Sequence, residues 1–199
     1  MAVTKTVEQD DVAADGRAAI RRRQVLTVAS ELFAKKGFEA TSIRDIATAA
    51  GMMSGSLYYH FASKEDLYIA VQDASISKIF NAVSNAIIGI AEPWNRLEAA
   101  AIAHAEAILD RSGFRVLVTP LFPPGLDTAV RDQLVAQRDR FERMMDTVIA
   151  DLPLPADIDR RIFRRHYLGA INWIPVWCDP DGPVAPADIV RQFIRTLRH

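Results

Sequence analysis

Residues 42–61 read SIRDIATAAGMMSGSLYYHF, and two helix starts are written into this one stretch. Ser42 is an N-cap residue with Asp45 three positions later, the register in which hydroxyl and carboxylate satisfy each other's backbone amides. Ile43, Ile46, Ala47 and Ala50 then form a narrow apolar face that stops at Gly51. A second short helix is predicted over 54–60, with Leu57 and Phe61, four apart, facing inward. Two short helices about a glycine fit a helix-turn-helix, whose second helix lies in the major groove of DNA. The side chains suit that task. Ser54, Gly55 and Ser56 let the backbone approach closely, and a helix start attracts phosphate through its unpaired amides. Tyr58, Tyr59 and His60 add donors, and Lys64 adds a cation; phosphates are the expected partners, which fixes register without reading sequence. On spacing alone the alternative stays open that the serines are only caps and the tyrosines partly core.

Working outward, residues 17–36 carry Ile20, Val25, Ala29, Leu32 and Phe33 on one helical face, and Gly37 ends the run. Ser63 and Asp66 repeat the capping register and open a further helix, predicted to run from Lys64 to about Ile90. Residues 1–16 are small, polar and acidic, and a structureless tail is expected there. The net charges of 1–16, 17–70 and 71–199 are -3, +3 and -1. The basic excess is therefore local to the segment that holds the two short helices, as an anion-binding module requires. From residue 67 onward only helical patterns occur, with no sustained period-two alternation, so the fold class is all-α. Breakers at 92–93, 111–113, 120–125, 152–155 and 179–183 divide this region into helices. The sequence thus predicts a helix-turn-helix domain over 17–66 and a second helical domain over 67–199. The helices expected at 158–174 and 187–198 are assigned to pairing two subunits. Ile189, Phe193 and Leu197 would otherwise leave an apolar stripe on the surface.

Composition excludes several classes. The chain has 199 residues, half of them hydrophobic and a quarter charged, the balance of a globular protein. The single Cys178 rules out an intramolecular disulfide, and His60, His104, His166 and His199 lack ligand spacing, so neither metal nor cofactor is expected. The longest nearly uncharged stretch, 82–91, is too short to span a bilayer, and a cytoplasmic location without membrane partners is expected. No nucleophile elbow, glycine-rich phosphate loop or carboxylate pair beside a metal ligand points to an enzyme. His104 and Glu106, two apart on a helix, point in divergent directions, and His104 reads as a core or surface histidine.

The stretch 22–71, RRQVLTVASELFAKKGFEATSIRDIATAAGMMSGSLYYHFASKEDLYIAV, resembles the N-terminal domain of the TetR family of transcriptional repressors. That resemblance implies a homodimer on double-stranded, palindromic operator DNA, with a C-terminal domain that pairs subunits and binds a small-molecule effector. By position it implies DNA contacts from Ser42, Arg44, Ser54, Gly55, Ser56, Tyr58, Tyr59, His60 and Lys64. Met52 and Met53 occupy the turn and read as packing or edge residues. The segment 168–194, LGAINWIPVWCDPDGPVAPADIVRQFI, is similar to the end of a subfamily that answers to acyl-CoA or steroid-CoA compounds. That pattern commonly places arginines where this chain has Val176 and Asp179. Candidate effector-binding residues are Phe114, Phe122, Phe141, Met144, Met145, Trp173 and Trp177, of which Phe141, Met144 and Met145 share a helix face. Arg160, Arg161, Arg164 and Arg165 could meet an acidic ligand, although their spacing wraps them around a helix. The implied function is a repressor released by an apolar or amphipathic effector, acyl-CoA-like compounds included. The alternative is an all-α small-molecule-binding protein or enzyme that does not bind DNA.

Overall fold

The computed structural model describes residues 3–111, 113–116 and 122–198, the side chains of 3–15 and 17 excepted. The predicted breakers Ser112 and Pro120 lie outside the described residues. Eight helices and no strand occur among those described, and they fall into two compact units, Met1–Val71 and Gln72–His199.

The first unit is built from α1 (Val3–Lys36), α2 (Ile43–Ala49), α3 (Ser54–His60) and the opening turns of α4 (Lys64–Ala86). In place of a structureless tail, α1 runs back to Val3; residues 3–15 contain neither proline nor glycine and include Glu8, Gln9, Ala13 and Ala14, all good helix formers. Gly37 ends α1 with φ +80, a left-handed conformation that favours glycine. The Ser42 box is formed: its hydroxyl accepts from the Asp45 amide at 3.1 Å and its own amide donates to Asp45 Oδ2 at 3.0 Å. Gly51 turns the chain at φ +64, and Ser63 Oγ accepts from the Asp66 amide at 2.9 Å. Val25, Ala29, Phe33, Ile46, Ala47, Leu57 and Phe61 are buried together with Leu67, Tyr68 and Val71. The Tyr68 ring meets Phe33 edge-on at 5.3 Å and Phe38 at 4.9 Å. These contacts carry the unit past the expected boundary at Asp66, because the first turns of α4 complete its core. Ile20, assigned to the inner face of α1, is exposed, and burial begins only at Val25.

The second unit holds the rest of α4 with α5 (Pro93–Leu109), α6 (Thr128–Ile149), α7 (Arg160–Trp177) and α8 (Pro186–Arg198). α4 stops at Ala86, short of Ile90, and Gly89 turns at φ +75. Proline at N1 with a Glu92 cap opens α5; Asp127 and Asp159 cap α6 and α7. α5 packs against α6, α7 and α8, and its buried Ala100, Ala101, Ala105 and Ala107 keep the side-chain bulk between these helices small. Arg160 donates to the carbonyls of Ile149 and Leu152, both at 2.7 Å, which closes the end of α6 onto the start of α7. Arg164 pairs with Glu142 at 2.7 Å and with Asp146. Arg160 and Arg164 are therefore structural, and Arg161 pairs with its helix cap Asp159 at 2.8 Å, so these three are not a free cationic cluster. Contrary to the expectation for α8, Ile189, Phe193 and Leu197 are half-buried against the core. The exposed apolar surface lies instead on α7, at Ile162, Trp173, Val176 and Trp177.

His104 is completely buried in this unit, and desolvation lowers its pKa from 6.5 to about 4, with the Asn172 side chain acting in the opposite sense. Between these values the unfolded chain binds a proton that the folded chain does not, so stability rises with pH and is lost as pH falls. All three tryptophans, Trp94, Trp173 and Trp177, belong to this unit, and urea unfolding followed by their fluorescence reports on it alone. Stability is expected to fall by on the order of 3 kcal/mol from pH 7 to pH 4, and His104→Leu to flatten that dependence. An unchanged slope in the variant would assign the acid sensitivity to other groups.

Candidate nucleic-acid interface and effector wall

On α3, a single residue, Leu57, is buried, and Phe61 is buried just beyond it. Two anchors four residues apart fix the rotation of the helix, so Gly55, Ser56, Tyr58 and Tyr59 face solvent. Tyr59 is 86% exposed and Tyr58 53%, which removes the reading of these tyrosines as core. Tyr59 and His60 meet edge-on at 5.3 Å, and Ser54 and His60 are half-buried. Ser42 and Arg44 are exposed at the start of α2. The Ser42 hydroxyl and amide hold the Asp45 carboxyl below the usual carboxylate range. Lys64 does more than supply a cation. Its ammonium donates to the Phe38 carbonyl at 3.1 Å and lies 4.1 Å from the centre of the Phe38 ring, tying α4 to the turn after α1.

Two residues join this surface that sequence reasoning did not select. Met53, at the N-cap of α3 without a side-chain cap, is 80% exposed and does not pack, whereas Met52 is half-buried. Arg21 of α1 lines a shallow concavity with Met53, Ser56, Tyr59 and His60. The run Arg21, Arg22, Arg23 was the available signal, but periodicity alone did not say which arginine faces α3. Arg22 instead covers the Phe61 ring at 4.9 Å.

Of the effector candidates, Phe141 and Met145 are buried and Met144 is half-buried against the same cluster. Ser84 Oγ donates to Met144 Sδ at 3.6 Å, and His104 meets Phe141 edge-on at 5.2 Å. Phe114 and Phe122 are half-buried. Trp173 and Trp177 do not join this wall: the buried stripe of α7 is Tyr167, Leu168, Ile171 and Ile174, and both tryptophans lie on the opposite, exposed face. Burial also pushes the Tyr167 hydroxyl well above its ordinary pKa. Among the described residues no group of three His, Cys, Asp or Glu side chains could hold a metal ion, and no helix is long and apolar enough to cross a membrane.

Comparison with known proteins places both units. Residues 25–71 match the model for bacterial regulatory proteins of the tetR family, and residues 91–199 match that for the tetracyclin repressor-like C-terminal domain. The HTH-type transcriptional repressor KstR2 of Rhodococcus jostii (strain RHA1) is 30% identical over 180 residues, covering 87% of each chain. KstR2 of Mycobacterium tuberculosis (strain ATCC 25618 / H37Rv) is 28% identical over 185 residues, covering 90% of this chain and 92% of that one. The fold matches that of AibR, solved in complex with isovaleryl coenzyme A and operator DNA. Its TM-score is 0.77 at 23% identity, with 88% of this chain and 97% of that one covered. With family models matched across both its units, and a relative of that identity along nearly its whole length, the chain belongs to the tetR family of transcriptional regulators.

Proposed function

We propose that this protein is a ligand-responsive repressor that binds a palindromic operator as a homodimer and is released by a small apolar or amphipathic effector held in its second unit. The observation that carries the reading is the pinned α3: Leu57 and Phe61 are buried while Ser56, Tyr58 and Tyr59 are turned outward, beside the exposed Arg44 and Ser42. Phenolic and guanidinium donors suit phosphates, and the short serines at the head of α3 suit base edges. Met53 adds an apolar tip of the kind that meets a thymine methyl. KstR2 carries the name of a repressor, and AibR was solved with a coenzyme A thioester and operator DNA together; both agree with the reading.

Selection of duplexes from a randomised pool by the full-length protein is expected to return an inverted repeat with half-site centres about 10 base pairs, or a multiple, apart. Recovery of no enriched duplex would instead favour a small-molecule-binding protein that does not act on DNA. On the selected duplex, Tyr58→Ala is expected to weaken binding by about tenfold for every sequence alike, and Ser56→Ala to change the ranking among sequences. Lys64→Ala is expected to lower the melting temperature as well as the affinity, because its ammonium also holds the Phe38 carbonyl. Fluorescence anisotropy across a salt series separates the two effects.

Pairing is assigned to the outward face of α7, where Ile162, Trp173, Val176 and Trp177 leave more apolar surface than a helix of a monomer keeps in water. Val176→Arg is expected to convert the dimer into a monomer in sedimentation velocity. Affinity for the two-half-site duplex should fall by about a hundredfold, as the linked second contact is lost. A dimer undisturbed by this charge would move the interface elsewhere.

A further inference from the structure

The polar groups around the α6 wall form a set of one kind. Phe141, Met144 and Met145 supply its apolar surface. His104 stands against it from α5, Ser84 reaches it from α4, and Asn172 of α7 lies near the His104 ring. None of the three carries a charge at neutral pH. His104 is wholly buried, yet neither Nδ1 nor Nε2 has a hydrogen bond of good geometry; Asn172 is near enough to influence the ring without being aligned on it. Burying an imidazole among apolar side chains with only the imperfectly aligned Asn172 amide beside it is unfavourable, and native proteins seldom leave such a group unused. Met144, Ser84 and Asn172 are half-buried, so burial deepens from these residues to the His104 ring.

Resting on the repressor reading above, we infer that His104 is the hydrogen-bonding anchor for an uncharged oxygen, a ketone, thioester carbonyl or hydroxyl, on an otherwise apolar effector seated against Phe141, Met144 and Met145. A neutral imidazole offers one donor and one acceptor, which matches such an oxygen and does not compensate a buried carboxylate. Burial keeps the ring neutral well below pH 7. The guanidinium of Arg164, on α7, is already shared between Glu142 and Asp146 of α6, so it supplies no free cation for an acidic group. A coenzyme A moiety, if part of the effector, would therefore keep its phosphates away from this wall and present only its acyl portion.

The test uses full-length protein and four probes: 2-octanone with octane, and 5α-androstan-17-one with 5α-androstane as a broader frame. Binding is read by titration calorimetry and by tryptophan fluorescence. At least one ketone is expected to bind about tenfold more tightly than its parent hydrocarbon, the worth of one buried hydrogen bond. Octanoate is expected to bind no better than octane. His104→Leu, close in volume, should keep or raise the melting temperature and erase the ketone preference, and His104→Gln should retain part of it. If His104→Leu does not fold, the parent protein and His104→Gln decide. Equal binding of ketone and hydrocarbon, binding of neither ketone, or a ketone preference that survives in His104→Leu would overturn the inference. The same preparations are assayed on the selected duplex. Duplex binding without ketone preference sinks only the anchor, whereas ketone preference without duplex binding sinks the repressor reading.

Discussion

Everything on the nucleic-acid face depends on the burial of Leu57. A seven-residue helix such as α3 has too few internal hydrogen bonds to offset the entropy of fixing its first turn, and in isolation it would not persist in water. Its one buried residue, with Phe61 directly after it, supplies what the backbone cannot. Burying a leucine fully contributes about 1.5–3 kcal/mol, which exceeds what any cap at this helix offers, and Met53 gives none. The cost of that economy is a single allowed rotation. Because Leu57 must point into the core of the first unit, Ser56, Tyr58 and Tyr59 have no choice but to point out. The capping box of α2 and the left-handed Gly51 then set where α3 begins.

The second unit is organised differently, around a helix whose middle is kept narrow by alanines. α5 is enclosed by α6, α7 and α8, and its alanines permit that enclosure by lowering the side-chain volume that must be packed. Charge is managed at the ends: Arg160 takes up carbonyls left open where α6 finishes, and Arg164 is balanced by two carboxylates. Groups of this kind are stabilising because their partners are already in place; removing one carboxylate would leave a half-buried guanidinium less well compensated. α7 is thus apolar toward the core and, unusually for an outer helix, apolar outside as well over its last turns, at Trp173, Val176 and Trp177, which is the property that a symmetric interface would use.

The sequence was legible wherever the deciding physics is local. The Ser42 and Ser63 boxes, the glycine stops after α1 and α2, and the proline at the head of α5 depend on a few neighbouring residues and stand where they were expected. What failed was the assignment of faces. Periodicity showed that α7 and α8 each have an apolar stripe, but it does not say which stripe finds a neighbour. The α8 stripe expected on the surface is half-buried, and Trp173 and Trp177, expected at the effector, are exposed. Ile20 was misplaced for a related reason: it keeps the period of α1 but lies before Val25, where burial on that helix begins. The second role of Lys64 depends on the carbonyl of Phe38, 26 residues away, and no local signal announces it. His104 was read as a core or surface histidine, and its complete burial without an aligned partner is visible only in three dimensions.

Charge also bounds how the proposed operator could be read. The basic segment carries eight cations against five carboxylates, and several of those charges are already committed: Asp45 to its cap, Lys64 to Phe38, Arg22 to Phe61. Free cations on this face, Arg21 and Arg44 among them, are few, so the sequence-independent attraction to phosphate, which grows with the number of neutralised phosphates, is modest for one subunit. Dimerisation doubles it and adds the constraint that both readers meet the duplex at a fixed spacing. Under the proposed reading, discrimination between duplexes would then fall to short side chains at the head of α3. On that reading, the serines and glycine at the head of α3, with Met53 exposed beside them, are the groups there short enough or apolar enough to sense a base edge, while the exposed tyrosines would meet the backbone and hold the helix in register.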